Sequence, residues 1–270
     1  MVNVQMVNGL IFCAGLGTRL KPLTDTMPKA LVPLAGKPLL QWQVEKLRDA
    51  GITDIIVNVH HFPDMIIDTI RANNGWGCNI LISDERDQLL DTGGGLKKAK
   101  SQIINHKSQM ASEPILACNV DILSNIDLRA LMSAYEHEGV SLLVVSDRQT
   151  QRYLCFDDGL TLRGWTNIAT GEVKPSSLSE AAHSIIPSFR RLAFSGLQIL
   201  SPEALELLAQ MPQDKFSLID FYLHLCEENQ KSKIKNQKSI LRAYVPENYR
   251  MMDVGKIDQI AEAEAFAESL

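Results

Sequence analysis

Gly9-Leu10-Ile11-Phe12-Cys13-Ala14-Gly15-Leu16-Gly17-Thr18-Arg19-Leu20 is the stretch from which the rest of the chain can be read. A short, uncharged apolar run, Gly9–Ala14, passes without a break into a glycine loop. An apolar run of that length reads as a strand buried on both faces. Gly15 and Gly17 let the backbone turn and come close to a ligand. Their amides are suited to a phosphate, and the charges nearby agree. Residues 15–40 hold Arg19, Lys21, Lys29 and Lys37 against Asp25 alone, in a chain whose net charge is −5. A polyphosphate is the ligand this local field favours. Two familiar phosphate loops are excluded: G-x-x-x-x-G-K-[ST] is absent, and the third glycine of G-x-G-x-x-G is replaced by Leu20.

Outward from this loop, strands and helices alternate. Pro38–Ala50 carries Leu40, Val44 and Leu47 at helical spacing, and Ile55–Val59 is a continuous β-branched strand. Helices are predicted over Phe62–Ala72, Leu96–Ile104 and Ile126–Glu138, and strands over Cys78–Ile82, Ile115–Cys118 and Val140–Val145. This pattern predicts an α/β fold, a doubly wound, mixed but mainly parallel sheet with helices on both faces. Such sheets bind ligands at the carboxyl ends of their strands, here the loop after Ala14 and the segment Asn119-Val120-Asp121.

The second half is less regular. A hairpin is expected over Tyr153–Arg163, and a loop with a short helix over Glu172–Arg191. Leu192–Leu200 reads as a strand, Pro202–Ala209 and Leu218–Glu228 as helices, and Asn229–Ser239 as a solvated loop. Leu241–Val245 and Tyr249–Asp253 read as late strands, and Ile257–Phe266 as a closing helix. The chain is expected to be one domain over 1–270, softly divided into a nucleotide-binding half (1–146) and an acceptor-binding half (147–270).

Composition bounds the function. The chain has 270 residues, 45% hydrophobic and 22% charged, as in ordinary globular proteins. With net charge −5 it has no basic field for nucleic acid or an anionic membrane. No apolar run reaches the ~18 residues of a membrane span, and the N-terminus lacks a signal-peptide pattern. A cytoplasmic protein is expected. The five cysteines form no C-x-x-C pair, which argues against a disulfide framework or zinc site.

Ala14-Gly15-Leu16-Gly17-Thr18-Arg19-Leu20-x-Pro22-Leu23-Thr24-x-x-x-Pro28-Lys29 resembles the signature of the sugar-1-phosphate nucleotidyltransferases. The resemblance continues in Asp91-Thr92-Gly93-Gly94-Gly95, Asn119-Val120-Asp121, Phe194-Ser195-Gly196 and Asp253-Val254-Gly255. Within the family the Thr-Gly-Gly-Gly run and the compact length look most like uridylyltransferases of cell-wall sugar metabolism. Guanylyl- and cytidylyltransferases share much of the first loop.

The resemblance implies a reaction in which a sugar 1-phosphate meets a nucleoside triphosphate, UTP first among the candidates, and pyrophosphate leaves. Arg19 would hold the leaving pyrophosphate and Lys29 the phosphates at the reacting centre. Ala14, Gly15, Gly17 and Thr18 would form the backbone cradle. Asp121 and Asp253, distant in sequence, would hold Mg²⁺. Thr92, Gly93, Gly94 and Asn119 would contact the base. Gly196 would leave room for the sugar, and Lys174 is the candidate on the acceptor side. The family usually has glycine where this chain has Val120, a residue able to crowd the metal. Monomer and homodimer are both compatible with the sequence. A catalytically silent nucleotide-sugar sensor is the alternative from outside enzymology.

Overall fold

The structure, a computed structural model, describes residues 7–106, 113–138, 140–175, 189–231 and 241–270. The first half runs β1 (Asn8–Phe12), α1 (Leu39–Asp49), β2 (Asp54–Val59), α2 (Pro63–Ala72), β3 (Asn79–Asp84), α3 (Asp91–His106), β4 (Ile115–Asn119), β5 (Ile122–Ser124), α4 (Leu128–Glu138) and β6 (Ser141–Ser146). The second continues with β7 (Arg152–Phe156), β8 (Leu162–Asn167), β9 (Glu172–Lys174), β10 (Arg190–Leu200), α5 (Pro202–Ala209), α6 (Leu218–Lys231), β11 (Leu241–Tyr244), β12 (Met251–Asp253) and α7 (Ile260–Glu268).

The main sheet has the spatial order β3-β2-β1-β4-β10-β6-β11. Neighbours among β3, β2, β1 and β4 are parallel, and so are β6 and β11, while β10 runs antiparallel to both β4 and β6. The first residues of β10 pair instead with β7, which extends the sheet through β8 and β9. The strand order reverses between β1 and β4, which leaves a crevice at their carboxyl ends. Phe12 lies opposite Asn119 there.

Side chains alternate across this sheet with the period of a strand. Ile11, Leu116, Cys118, Leu142 and Val144 face one core with α1, α2, α4 and α7. Leu10, Phe12, Ala117, Leu143 and Val145 face the other with α3, α5 and α6. Helices therefore cover both faces, as the alternating sequence predicts.

Helix starts follow local capping chemistry. The Ser201 hydroxyl accepts from the Ala204 amide at 3.2 Å, with Pro202 in the first turn. Ser217 and Asp220 exchange hydrogen bonds at the head of α6. The Asp127 carboxylate accepts from the amides of Arg129 and Ala130, so α4 begins at Leu128 rather than Ile126.

Three expectations change. The helix expected over Leu96–Ile104 starts earlier, with Asp91–Gly95 as the first turn of α3. Glycine normally weakens a helix interior; here close packing requires it. A Cβ on Gly93 would stand 2.4 Å from the Phe216 ring, and one on Gly94 2.1 Å from the Asp214 carbonyl oxygen. Glu172–Lys174 is a strand rather than part of a loop, because it pairs with Trp165–Asn167. The helix over Leu218–Glu228 continues to Lys231, into the expected polar loop. The rest of that loop, 232–240, and the short helix expected within 176–188 lie outside the described residues.

Candidate active site

The glycine loop leaves β1 at Phe12 and is fixed at both ends. The Cys13 amide donates to Asn58 Oδ1 at 2.7 Å. At the far end Gly17 adopts φ +63°, and its carbonyl accepts from the Thr24 hydroxyl at 2.9 Å and the Leu20 amide at 2.8 Å. A Cβ here would meet Thr24 Cγ2 at 2.9 Å and Lys29 Cβ at 3.0 Å, so glycine is required on both counts. Gly15, Thr18 and Arg19 are exposed, and nothing lies within 4 Å of a Cβ built on Gly15. Ala14, by contrast, is buried at the base of the loop.

The two distant aspartates meet through a second, small sheet. β12 pairs antiparallel with β5, placing Asp253 opposite Ile122. The Val254 amide donates to the Asp121 carbonyl at 2.8 Å. Burial raises the proton affinity of the Asp253 carboxyl above its ordinary value, and the adjacent Asp121 carboxylate raises it further; Lys29 and Arg19 oppose both. Lys29, almost entirely buried, donates from Nζ to Asp121 Oδ2. The Arg19 guanidinium stands 3.7 Å from Asp253 Oδ2, with about half of each side chain in solvent. Such an exposed pair holds the arginine weakly. Gly255 makes this approach possible: a Cβ there would lie 2.7 Å from Arg19 Nη2 and 2.6 Å from Asp253 Oδ1.

The ribbon carrying the aspartates is held from behind by α1. Gln43 Nε2 donates to the Ile122 carbonyl at 2.8 Å, and Lys46 Nζ donates to the Ser124 carbonyl and hydroxyl at 2.9 and 2.7 Å. Val120 points into the hydrophobic core that also contains Cys13 and Val254, and its amide donates to the Phe12 carbonyl. The side chain therefore packs inward rather than crowding the carboxylates.

On the other bank, Gly196 adopts φ +69° where the pairing of β10 with β6 shifts register between Phe194 and Gln198. A Cβ there would stand 2.8 Å from Asn119 Nδ2, so Gly196 and Asn119 are immediate neighbours. The first turn of α3 is already engaged: the amides of Gly93 and Gly94 donate to the Phe216 carbonyl, and the Thr92 hydroxyl accepts from the Leu218 amide at 3.0 Å. Lys174 stands apart from the aspartates. Its ammonium pairs with Glu172 at 3.2 Å, lies 5.5 Å from the Trp165 ring centre, and borders a cleft of about 490 Å³ against α6.

The donor set suits a hard divalent cation. Two adjacent carboxylates, with the proton affinity of Asp253 raised, are the arrangement such an ion relieves. Among the described residues no group of three or more Asp, Glu, His or Cys could hold a metal. Mg²⁺ needs fewer, since it is normally bound by one or two carboxylates with water and substrate phosphates. The two cysteines at the strand ends are not activated nucleophiles: burial pushes the Cys13 thiol well up and Cys118 up to about 12.

Sequence reading missed Asn58, Glu85, Gln43 and Lys46, and gave Gly255 no role of its own. Asn58 had a usable signal, a lone amide inside a β-branched strand. The others look like ordinary surface residues of helices and turns until tertiary structure brings them inward.

A glycine-loop strand, a buried lysine and an aspartate pair at the reversal point of an α/β sheet define a phosphate-handling transferase. The nucleotidyl transferase family model matches residues 8–269. The chain is 30% identical over 225 residues to N-acetylmuramate alpha-1-phosphate uridylyltransferase of Caulobacter vibrioides, covering 81% of this chain and 84% of that protein. It is 29% identical over 209 residues to mannose-1-phosphate guanyltransferase of Kluyveromyces lactis, covering 76% of this chain and 53% of that one. The fold matches UDP-glucose pyrophosphorylase of Acinetobacter baumanii with TM-score 0.71 at 17% identity, over 97% of this chain and 93% of that one. The chain belongs to the nucleotidyl transferase family, among the sugar-1-phosphate nucleotidyltransferases. No helix among the described residues is long and apolar enough to cross a membrane.

Proposed function

We propose that the chain joins a sugar 1-phosphate to a nucleoside triphosphate, UTP in the first place, with Mg²⁺ held by Asp121 and Asp253. The observation that carries this reading is the meeting of Lys29, Asp121, Asp253 and Arg19 beside the glycine loop. These four are formally neutral together, so a divalent cation entering with the polyphosphate would offset part of its negative charge.

In the reaction, an oxygen of the sugar phosphate bonds to the α-phosphorus of the nucleotide. The bond from that phosphorus to the oxygen bridging to the β-phosphate breaks, and the electron pair leaves on pyrophosphate. A phosphate monoester is already mostly dianionic at neutral pH, since its second pKa is about 6. No general base is required, and positioning and charge neutralisation dominate. Asp121 and Asp253 would hold Mg²⁺, which when bound would supply polarisation of the α-phosphate. Lys29 places a point charge at the reacting centre, and Arg19 offers a forked guanidinium to the leaving pyrophosphate. Gly15, Gly17 and Thr18 line the phosphate path above Ala14. Thr92, Gly93, Gly94 and Asn119 form the base edge, a wall stiffened by the hydrogen bonds to Phe216 and Leu218. Gly196 gives the sugar its space, and Lys174 guards the outer acceptor side.

The uridylyl assignment rests on the similarity to the Caulobacter uridylyltransferase, and N-acetylmuramate 1-phosphate is the acceptor that this similarity favours. A cytoplasmic monomer or homodimer completes the reading. The test is pyrophosphate release with Mg²⁺, screening four nucleoside triphosphates against the 1-phosphates of N-acetylmuramate, glucose, N-acetylglucosamine and mannose. The expected signal is strongest with UTP and N-acetylmuramate 1-phosphate. A preference for GTP with mannose 1-phosphate would move the chain to the guanylyl branch. Nucleotide binding without turnover on any pair would favour a sensor.

A further inference from the structure

We infer that Asn58 and Glu85 are positioning residues for the nucleotide: a buried amide–carboxylate pair that locks the glycine loop to the entry of α3. This rests on the proposed reading of that loop as the nucleotide cradle.

Asn58 sits on β2 and Glu85 directly after β3, and both are almost completely buried. Asn58 uses both ends of its amide. Its Oδ1 accepts from the Cys13 amide at 2.7 Å, at the root of the glycine loop. Its Nδ2 donates to Glu85 Oε1 at 2.7 Å. The other carboxylate oxygen, Oε2, accepts from the Leu90 amide at 3.2 Å, the residue before α3. Gly95, in the first turn of α3, is glycine because a Cβ would stand 2.7 Å from Glu85 Oε1 and 3.0 Å from Asn58 Nδ2. One connected chain of hydrogen bonds thus fixes the strand that ends in the phosphate cradle relative to the turn that forms the base edge. Nucleotide must contact both at once, so their separation matters for its affinity.

A structural role alone does not explain the choice of an acid. A buried carboxylate is costly compared with a neutral amide. Both groups that hydrogen-bond to its carboxylate oxygens, Asn58 Nδ2 and the Leu90 amide, are donors, which favours the ionised form. Burial raises the proton affinity of Glu85, Asn58 and Leu90 lower it by hydrogen bonding, and Lys98 and His60 are the charged or titratable groups that face it. His60 Nδ1 lies 2.7 Å from the Glu85 carbonyl oxygen, and Lys98 donates to the Asp84 carbonyl. Protonation puts a hydroxyl where a donor now points and loosens the lock. The raised proton affinity moves this loss to higher pH than the usual glutamate range of about 4.3.

The experiment measures KM for UTP and for the sugar 1-phosphate separately, from about pH 5 to 8, in the unmodified chain and in Glu85→Gln, Gly95→Ala and His60→Gln. KM for UTP should rise about tenfold in Glu85→Gln and Gly95→Ala at pH 8, with KM for the sugar phosphate changed less than twofold. In the unmodified chain KM for UTP should rise as pH falls. Its ratio to the Glu85→Gln value, in which the titration of UTP itself cancels, should move toward one as pH falls. The acid rise should persist in His60→Gln. Gly95→Ala leaves both members of the pair in place, so it tests the lock if Glu85→Gln folds poorly. Unchanged KM for UTP in the variants, or equal effects on both substrates, would overturn the inference while leaving the nucleotide reading intact. An unmodified chain that binds no nucleoside triphosphate would defeat the nucleotide reading itself.

Discussion

Lys29 is the residue on which the local chemistry converges. It follows Pro28 in a short 3-10 turn, is nearly buried, and bonds to Asp121. A buried cation left without its aspartate, or the reverse, is strongly unfavourable. Lys29→Ala should lower kcat/KM by about a hundredfold or more, the usual effect of removing one well-placed charge donor. It should also shift the metal dependence, because Asp121 loses its resident counter-ion; steady-state rates across a Mg²⁺ titration check both. Arg19→Ala should cost less in stability than in rate, because the guanidinium is half exposed and makes only a 3.7 Å pair. Thermal unfolding within about 0.5 kcal/mol of the parent, with clearly slower turnover, is the expected result. Gly17→Ala should destabilise by roughly 1–2 kcal/mol for the left-handed backbone alone, read from denaturant midpoints.

Among elements, the ribbon of β5 and β12 matters most, because it joins Asp121 to Asp253. Lys46 braces it at a cost. Burial pushes the Lys46 ammonium down to about 8, below the roughly 10.4 of an exposed lysine. The folded chain therefore holds this proton less tightly than the unfolded chain. Below about pH 8 the lysine is charged in both states and the full penalty applies; the penalty fades as pH rises toward about 10.4. Lys46→Met should gain on the order of 1 kcal/mol at pH 7, with the gain shrinking by pH 10. It should lose turnover at both, because the ribbon is no longer held through Ser124. Calorimetry paired with rates separates the two effects.

The elements also show what the sequence made legible. The alternation of apolar runs gave the sheet and the two helix layers, because burial on both faces leaves a continuous strand signature. The glycine loop was readable because Gly15, Gly17, Arg19 and Lys29 are close in sequence. The start of α3 was not: Gly93 and Gly94 look like a flexible turn until Phe216 and Asp214 arrive from far along the chain. The pairing of Asp121 with Asp253 came from family resemblance, since only the β5–β12 ribbon brings them together. The Asn58–Glu85 pair joins two strand ends that carry no motif.

For the whole molecule, β10 is the decisive strand. It pairs with β4 of the first half and with both β6 and β7. The two halves therefore share one sheet, and the site is built from both: β1, β4 and β5 come from the first half, β10 and β12 from the second. The chain should unfold in a single transition, and a fragment ending at residue 146 should not fold, because β4 and β6 would lose their common neighbour. Circular dichroism of the fragment against the full chain checks this. Nucleotide with Mg²⁺ should raise the transition temperature, as any ligand of the folded state does.

The central claim is that the sugar phosphate takes the α-phosphoryl group directly from the nucleotide. It is tested most directly by incubating the chain with α-³²P-labelled UTP, Mg²⁺ and N-acetylmuramate 1-phosphate. The account predicts that label passes into the nucleotide sugar in equal amount to the pyrophosphate released, only when both substrates are present, and that Asp121→Ala abolishes the transfer. Label released as free UMP without the sugar phosphate, or transfer undiminished in Asp121→Ala, would contradict it.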